Sequence, residues 1–226
     1  MNTNPAPILT KNARILLISN MNIGPSKHNI QSKKEMIYDT LKKSNLFSEV
    51  KVVSLDCIRH FNELLLSNYH WVIYDLLDYG NEVENPIKEI NNYIKNGGNI
   101  IVTHDHVYAL LDILGLEAFN DNNNIYFIYS KVVNVNYEHD IWKSYYNLEN
   151  TKTMEIKQTH GKLRVKNNDT QQVLHSYDKN NYLYLSTRRI GMGKAIFWNA
   201  GHMPDINEEE KKLFLNIVVW ALKEEN

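Results

Sequence analysis

Three short apolar runs constrain this chain most: Ala13–Ser19 (ARILLIS), Trp71–Leu76 (WVIYDL) and Asn99–Thr103 (NIIVT). Each is long enough for a buried strand and too short for a helix. Continuous apolar runs, rather than alternating ones, are what strands covered on both faces require. Helical patterns separate them. Ser32-Lys33-Lys34-Glu35 reads as a capping box, and the helix behind it carries Ile37 and Leu41 on one face. Val50–Leu55 is a further strand, followed by a short helix over Ile58–Leu66. Asn85 is placed as an N-cap with Pro86 at the first helical position; Ile87, Ile90 and Ile94 then recur at helical spacing until Gly97-Gly98 ends the helix. Val107–Leu114 is a helix closed by Gly115. Strand–helix alternation of this kind predicts a parallel sheet with helices on both faces.

The remainder of the chain reads differently. Residues 117–180 are rich in Asn, Lys, Asp and Tyr, with short alternating stretches at Lys131–Tyr137, Met154–Lys157 and Val173–Ser176. They are expected to be a small β-rich insertion at the sheet edge. The aromatics Tyr137, Trp142, Tyr145 and Tyr146 would form a satellite core there. Residues 182–188 and 194–200 predict a hairpin around Gly191-Met192-Gly193. A terminal helix over Glu208–Leu222 turns Leu213, Phe214, Ile217, Val218 and Ala221 inward. At 226 residues, against a soft prior of about 150 per domain, one domain with an insert is expected over the whole chain.

Composition narrows the function classes. With 25 Lys+Arg against 26 Asp+Glu the net charge is −1, so the strongly basic footprint of a nucleic-acid binder is absent. No apolar stretch approaches the ~20 residues that span a bilayer. One cysteine, Cys57, excludes an intrachain disulfide, and its simplest reading is a small buried hydrophobe. No signal-peptide pattern opens the sequence, so the expectation is a cytoplasmic protein; a domain cut from a longer chain would read the same way. Gly191-Met192-Gly193 lacks the third glycine and the strand–turn–helix setting of a dinucleotide fingerprint.

Three segments carry a family resemblance: ISNMNIGPSKHN after the first strand, GGNIIVTHD through the fourth, and GMGKAIFWNAGHMPD before a helix ending LNIVVWAL. Together they resemble the class I glutamine-amidotransferase-like superfamily, and within it the ThuA-like (trehalose-utilisation-like) branch, over roughly residues 13–116 and 182–222. The family's three histidine positions fall on His28, His104 and His202. The resemblance implies a flavodoxin-like sheet with its site at the carboxyl ends of the strands, where open α/β sheets bind ligands. It also implies a Cys on the sharp turn after the fourth strand. That turn here is Thr103-His104-Asp105-His106, without Cys or Ser. Imidazole cannot replace a thiolate nucleophile without changing the reaction, so Cys-triad glutamine hydrolysis is excluded as an expectation.

The polar cluster has two readings. In one, His28, Asp75, Asp78, His104, Asp105, His106 and His202 share a strand-end edge and bind a small polar ligand, an anion, or a metal such as Zn, Fe or Mn. In the other, Asp105 caps the helix beginning at Val107, and the histidines are hydrogen-bonded structural groups. Three functions follow. The first is a non-catalytic ligand-binding or protein-interaction module. The second is a ThuA-like protein of carbohydrate metabolism, and the third is a metal-dependent hydrolase. Sequence assigns no cofactor.

Overall fold

Alternate residues of the first strand belong to different cores, which makes the sheet the middle layer. Ile15 and Leu17 of the first strand lie in one buried cluster, while Leu16 and Ile18 lie in another. The computed structural model describes residues 11–19, 36–54, 69–74, 84–103, 110–118, 127–161, 163–179, 181–200 and 206–223. In chain order the elements begin with β1 (Arg14–Ser19), helix α1 (36–43), β2 (Glu49–Ser54), β3 (His70–Tyr74), α2 (Glu84–Lys95) and β4 (Asn99–Val102). The short helix α3 (Leu111–Leu114), β5 (Leu116–Ala118), β6 (Phe127–Asn134) and a 3-10 turn (Asp140–Lys143) follow. The chain continues through β7 (Thr153–Gly161), β8 (Leu163–Val165), β9 (Thr170–Ser176), β10 (Leu183–Ile190), β11 (Gly193–Trp198) and α4 (Glu208–Leu222).

Nine strands form one sheet in the order β2-β1-β3-β4-β11-β10-β9-β6-β7, and β5 pairs with β8 separately. The pairings from β2 through β11 are parallel. Those from β11 through β7 are antiparallel. The sheet is therefore mixed and strand-dominated, which corrects the expectation of a flavodoxin-like parallel sheet with helices on both faces and a small β-rich insertion. The supposed insertion is structural: β6, β7 and β9 extend the main sheet beyond β10. Parallel neighbours need a crossover of a dozen or more residues, usually helical. Among the described residues, segment 127–179 offers only a four-residue 3-10 turn, and its strands pair antiparallel.

The first core gathers Ile37 and Leu41 of α1, the inward residues of α4, and Trp142. The second gathers Ile90, Tyr93 and Ile94 of α2 with Ile113 and Leu114 of α3. α2 begins at Glu84, one residue before the expected cap, so Asn85 and Pro86 sit in its first turn. Gly97 takes φ +99° at its end, as the Gly97-Gly98 punctuation predicts. The expected satellite core joins the main one: Trp142 is fully buried, Tyr145 and Tyr146 pack against the cluster, and Tyr137 is half exposed.

α4 is buried far beyond one stripe. Leu215, Asn216, Val219, Trp220 and Leu222 are covered as well as the five expected residues, because the sheet and the 140–146 segment enclose it. Asn216 is the bolt. Its Oδ1 accepts from the backbone N–H of Tyr145 (3.1 Å) and Tyr146 (2.6 Å), and its Nδ2 donates to the carbonyls of Ile141 (2.8 Å) and Tyr146 (2.9 Å). At the other end Asn207 and Glu210 form a reciprocal capping box. The same two side chains reach the outer edge of β7: Glu210 Oε2 accepts from Lys157 N–H (2.9 Å), and Asn207 Nδ2 donates to the Glu155 carbonyl (2.7 Å). Glu210 Oε1 accepts from the Tyr184 hydroxyl, so this buried carboxylate has a partner on each oxygen. Burial beside it pushes the Tyr184 phenol well above its ordinary value.

Candidate functional site

Because β1, β3, β4 and β11 run parallel, their carboxyl ends Ser19, Tyr74, Val102 and Trp198 lie along one edge. The segments that leave this edge carry every candidate from the sequence. His28, Asp75, Asp78, His104, Asp105, His106 and His202 all lie outside the described residues, as does Cys57. Among the described residues no group of three or more His, Cys, Asp or Glu is arranged to hold a metal ion.

Two described anchors flank these segments. Thr103, directly after β4, is fully buried, and its Oγ1 has no hydrogen-bond partner among the described residues. Leaving a buried hydroxyl unpaired costs about 1–3 kcal/mol, so its position calls for an explanation. Asn199, directly after β11, is buried; its backbone N–H donates to the Tyr184 carbonyl, and its carbonyl and Oδ1 both accept from Thr159 Oγ1 of β7. The chain is thus pinned three residues before His202. Neither Thr159 nor Asn199 was legible as part of this edge, because β7 reaches it only through long-range antiparallel pairing.

The opposite, amino edge holds two clefts that sequence reasoning missed. The larger, about 720 Å³, is lined by His70, Asn99, Arg189, Lys194, Lys223 and the Gly191–Gly193 turn, among others. Its wall is fixed by close backbone approach. A Cβ on Gly193 would lie 2.1 Å from the Gly98 carbonyl oxygen and 2.2 Å from that of Ile94, and Met192 N–H donates to the Lys95 carbonyl. The glycines of GMG serve this packing. Lys194 is buried, and its Nζ donates to the carbonyls of Trp220 (3.3 Å), Ala221 (3.2 Å) and Lys223 (2.6 Å), closing the end of α4. Burial first, then the charges of Arg189 and Lys223, push its ammonium down to about 8. Asn99 Oδ1 accepts from Lys194 N–H, which turns Nδ2 to His70 Nδ1 at 3.0 Å. His70 is therefore an acceptor at Nδ1 and carries its proton on Nε2. Burial, then the charge of Lys194, pushes it down to about 4.

The smaller cleft, about 490 Å³, shares Arg189 and is bounded by Glu138, His139, Asp169, Thr187 and Trp220. His139 Nδ1 accepts from Ile141 N–H, Nε2 meets Thr187 Oγ1 at 3.1 Å, and the ring lies 4.8 Å from that of Trp220. Burial pushes this imidazole down to about 4.

No protein-family model matches the chain, and no curated protein matches it. Solved structures do. A ThuA-like protein from Bacteroides uniformis aligns at TM-score 0.70 and 16% identity, covering 96% of this chain and 95% of that one. Another from Parabacteroides merdae aligns at TM-score 0.64 and 15% identity, covering 94% and 91%. A β-galactosidase from Bacillus circulans sp. alkalophilus aligns at TM-score 0.57 and 9% identity, covering 93% of this chain and 30% of that one. Among the described residues, no helix is long and apolar enough to cross a membrane. At these identities the likeness concerns architecture: the chain has the fold of the ThuA-like proteins.

Proposed function

We propose that this chain is a non-catalytic module that binds a small polar ligand at the carboxyl edge of β1, β3, β4 and β11. The observation that carries the reading is the turn leaving β4. Thr103-His104-Asp105-His106 offers neither thiol nor serine, and the single cysteine of the sequence follows β2 instead. Thr103 is fully buried, so its hydroxyl is not presented to a substrate as a nucleophile would be.

A sugar is the ligand class we favour. The supporting observation is that the fold recurs as about a third of the β-galactosidase chains from Bacillus circulans and from Rahnella. The test is calorimetry with a panel of mono- and disaccharides, run beside assays for ammonia release from glutamine and for sugar turnover. The expected result is saturable binding of one sugar, no turnover, and about 10- to 100-fold weaker binding in Asp105→Asn at unchanged thermal stability. Asn caps a helix as well as Asp does but loses the charge. Turnover that disappears in His104→Ala and His202→Ala would overturn the proposal. A stoichiometric metal in protein purified without chelator or nickel resin would replace it with a metal-dependent hydrolase.

A further inference from the structure

We infer that Asn96 is a modification site: it converts without an enzyme to aspartate and isoaspartate through a cyclic imide, at a rate set by the cap that ends α2. This site does not depend on the reading of the carboxyl edge. Asn96-Gly97 is the one Asn-Gly pair in the chain. The reaction needs the main-chain nitrogen of the following residue to reach the Asn side-chain carbon Cγ, and a Cβ on that residue obstructs the approach. Glycine has none and lets the backbone turn. Exposure points the same way. Asn96 stands at the surface directly after α2, and its side-chain amide has no partner among the described residues. Asn99, Asn134, Asn199 and Asn216 differ: all four are buried, with their amides hydrogen-bonded.

The conversion balances as a hydrolysis. Hydroxide removes the Gly97 amide proton, and the nitrogen attacks Asn96 Cγ. The bond from Cγ to Nδ2 breaks, and ammonia leaves with a proton taken from water. Water then opens the imide at either carbonyl. Breaking the new bond to Cγ gives aspartate. Breaking the original main-chain bond gives isoaspartate, in which the backbone runs through the side-chain carbons.

The fold controls the rate. Gly97 N–H donates to the Ile94 carbonyl (3.0 Å) and Gly98 N–H to the Tyr93 carbonyl (2.9 Å), the paired bonds of a Schellman cap with Gly97 at φ +99°. The attacking nitrogen is engaged, so this last turn must open before the ring can close. The fold also sets the consequence. The imide has no N–H, so the Ile94 carbonyl loses its donor. Isoaspartate then adds a backbone carbon where there is no slack. The Lys95 carbonyl accepts from Met192 N–H (3.2 Å), and the Gly98 carbonyl oxygen lies 2.1 Å from where a Cβ on Gly193 would stand. The β10–β11 turn therefore grips the chain on both sides of residue 96. Aspartate keeps the backbone length and adds only a charge at the carboxyl end of α2, a smaller perturbation.

The test is incubation of the full chain at mildly alkaline pH, folded and in guanidinium chloride, followed by peptide mapping that separates aspartate from isoaspartate. In the folded chain residue 96 should gain acid before any other described asparagine. It should react on the order of 10-fold faster than Asn168, which is exposed in a turn but followed by Asp169. Denaturation should speed residue 96 about 3- to 10-fold, the worth of one hydrogen bond. Asn96→Gln should fold normally and lose the early product, because glutamine must close a larger ring. Asn96→Asp separates charge from backbone length: aged wild-type protein enriched in isoaspartate should melt below this variant. A folded chain in which Asn168 or another described asparagine reacts first would overturn the inference. So would the same early product in Asn96→Gln. Equal rates for residue 96 in folded and denatured chain would overturn control by the cap, and equal melting of the isoaspartyl form and Asn96→Asp would overturn the tight grip on the backbone.

Discussion

Replacing Asn216 by alanine isolates the junction between α4 and the 140–146 segment. The side chain makes four hydrogen bonds, all to backbone groups. Truncation removes the acceptor for two N–H groups, those of Tyr145 and Tyr146, which have no other partner among the described residues, and the donors for two carbonyls. The Ile141 carbonyl keeps a long bond from Ser144 N–H (3.4 Å), and Tyr145 and Tyr146 are only partly covered, so water can relieve part of the deficit. At about 1–3 kcal/mol for each polar group left unsatisfied, discounted for that access, the loss comes to about 2–4 kcal/mol. For a domain of this size that lowers the thermal midpoint by roughly 5–15 °C. Urea denaturation followed by circular dichroism measures it, with Asn147→Ala as the control, because Asn147 is exposed and bonds only Glu149 N–H. Hydrogen exchange at Tyr145 and Tyr146 should accelerate in parallel. If Asn216→Ala loses no more stability than Asn147→Ala, the argument that this amide holds the segment is wrong.

Phe214→Ala should cost about 3–5 kcal/mol, since the ring is fully buried and stacks on Trp198 at 4.8 Å; a shift of the urea midpoint within error would contradict the placement of α4. Gly193→Ala should destabilise by more than about 1–3 kcal/mol, because the new methyl meets two backbone oxygens that cannot step aside, and a thermal melt matching the wild type would refute that packing. Acid should destabilise the fold. His70 and His139 are held near 4 when folded, against an ordinary value of 6.5, so the unfolded chain binds more protons between those limits. Stability is then full above about pH 6.5 and falls by a few kcal/mol towards pH 4. His139→Gln should flatten that slope in a pH series of urea melts, and an unchanged slope would count against the buried neutral ring.

The strands of the parallel half were legible because their apolar runs have only one use, and the glycine punctuation at Gly97 and Gly115 marked the helix ends. The antiparallel half was not. Its strands alternate and contain many polar residues, and their partners lie far along the chain, as when Val133 of β6 meets His175 of β9. Sequence spacing says nothing about such pairing, so 117–180 read as an elaboration rather than as part of the sheet. Glu210 hides in a run of charges, Glu208 to Lys212, that reads as a solvated face, yet it is 1% exposed. The carboxyl-edge candidates were chosen from strand order alone and fall outside the described residues. The amino-edge cleft draws on His70, Asn99, Arg189, Lys194 and Lys223, positions spread over more than half the chain and joined only by the fold. The one local signal, Gly191-Met192-Gly193, marked a turn and not the cleft beside it.

An open sheet ends in strands that can recruit a neighbour, and aggregation commonly begins there. At β7 the vacant ladder positions of Glu155 and Lys157 are occupied by Asn207, the N-cap of α4, and by Glu210 in its first turn. An incoming strand must compete with that cap at the middle of the edge. The arrangement ties two hazards together: fraying of the first turn of α4 bares the strand and strips the capping box in the same event. Colloidal stability of this chain therefore depends on a helix terminus, and conditions or substitutions at Asn207 that loosen it act on solubility before they act on the core.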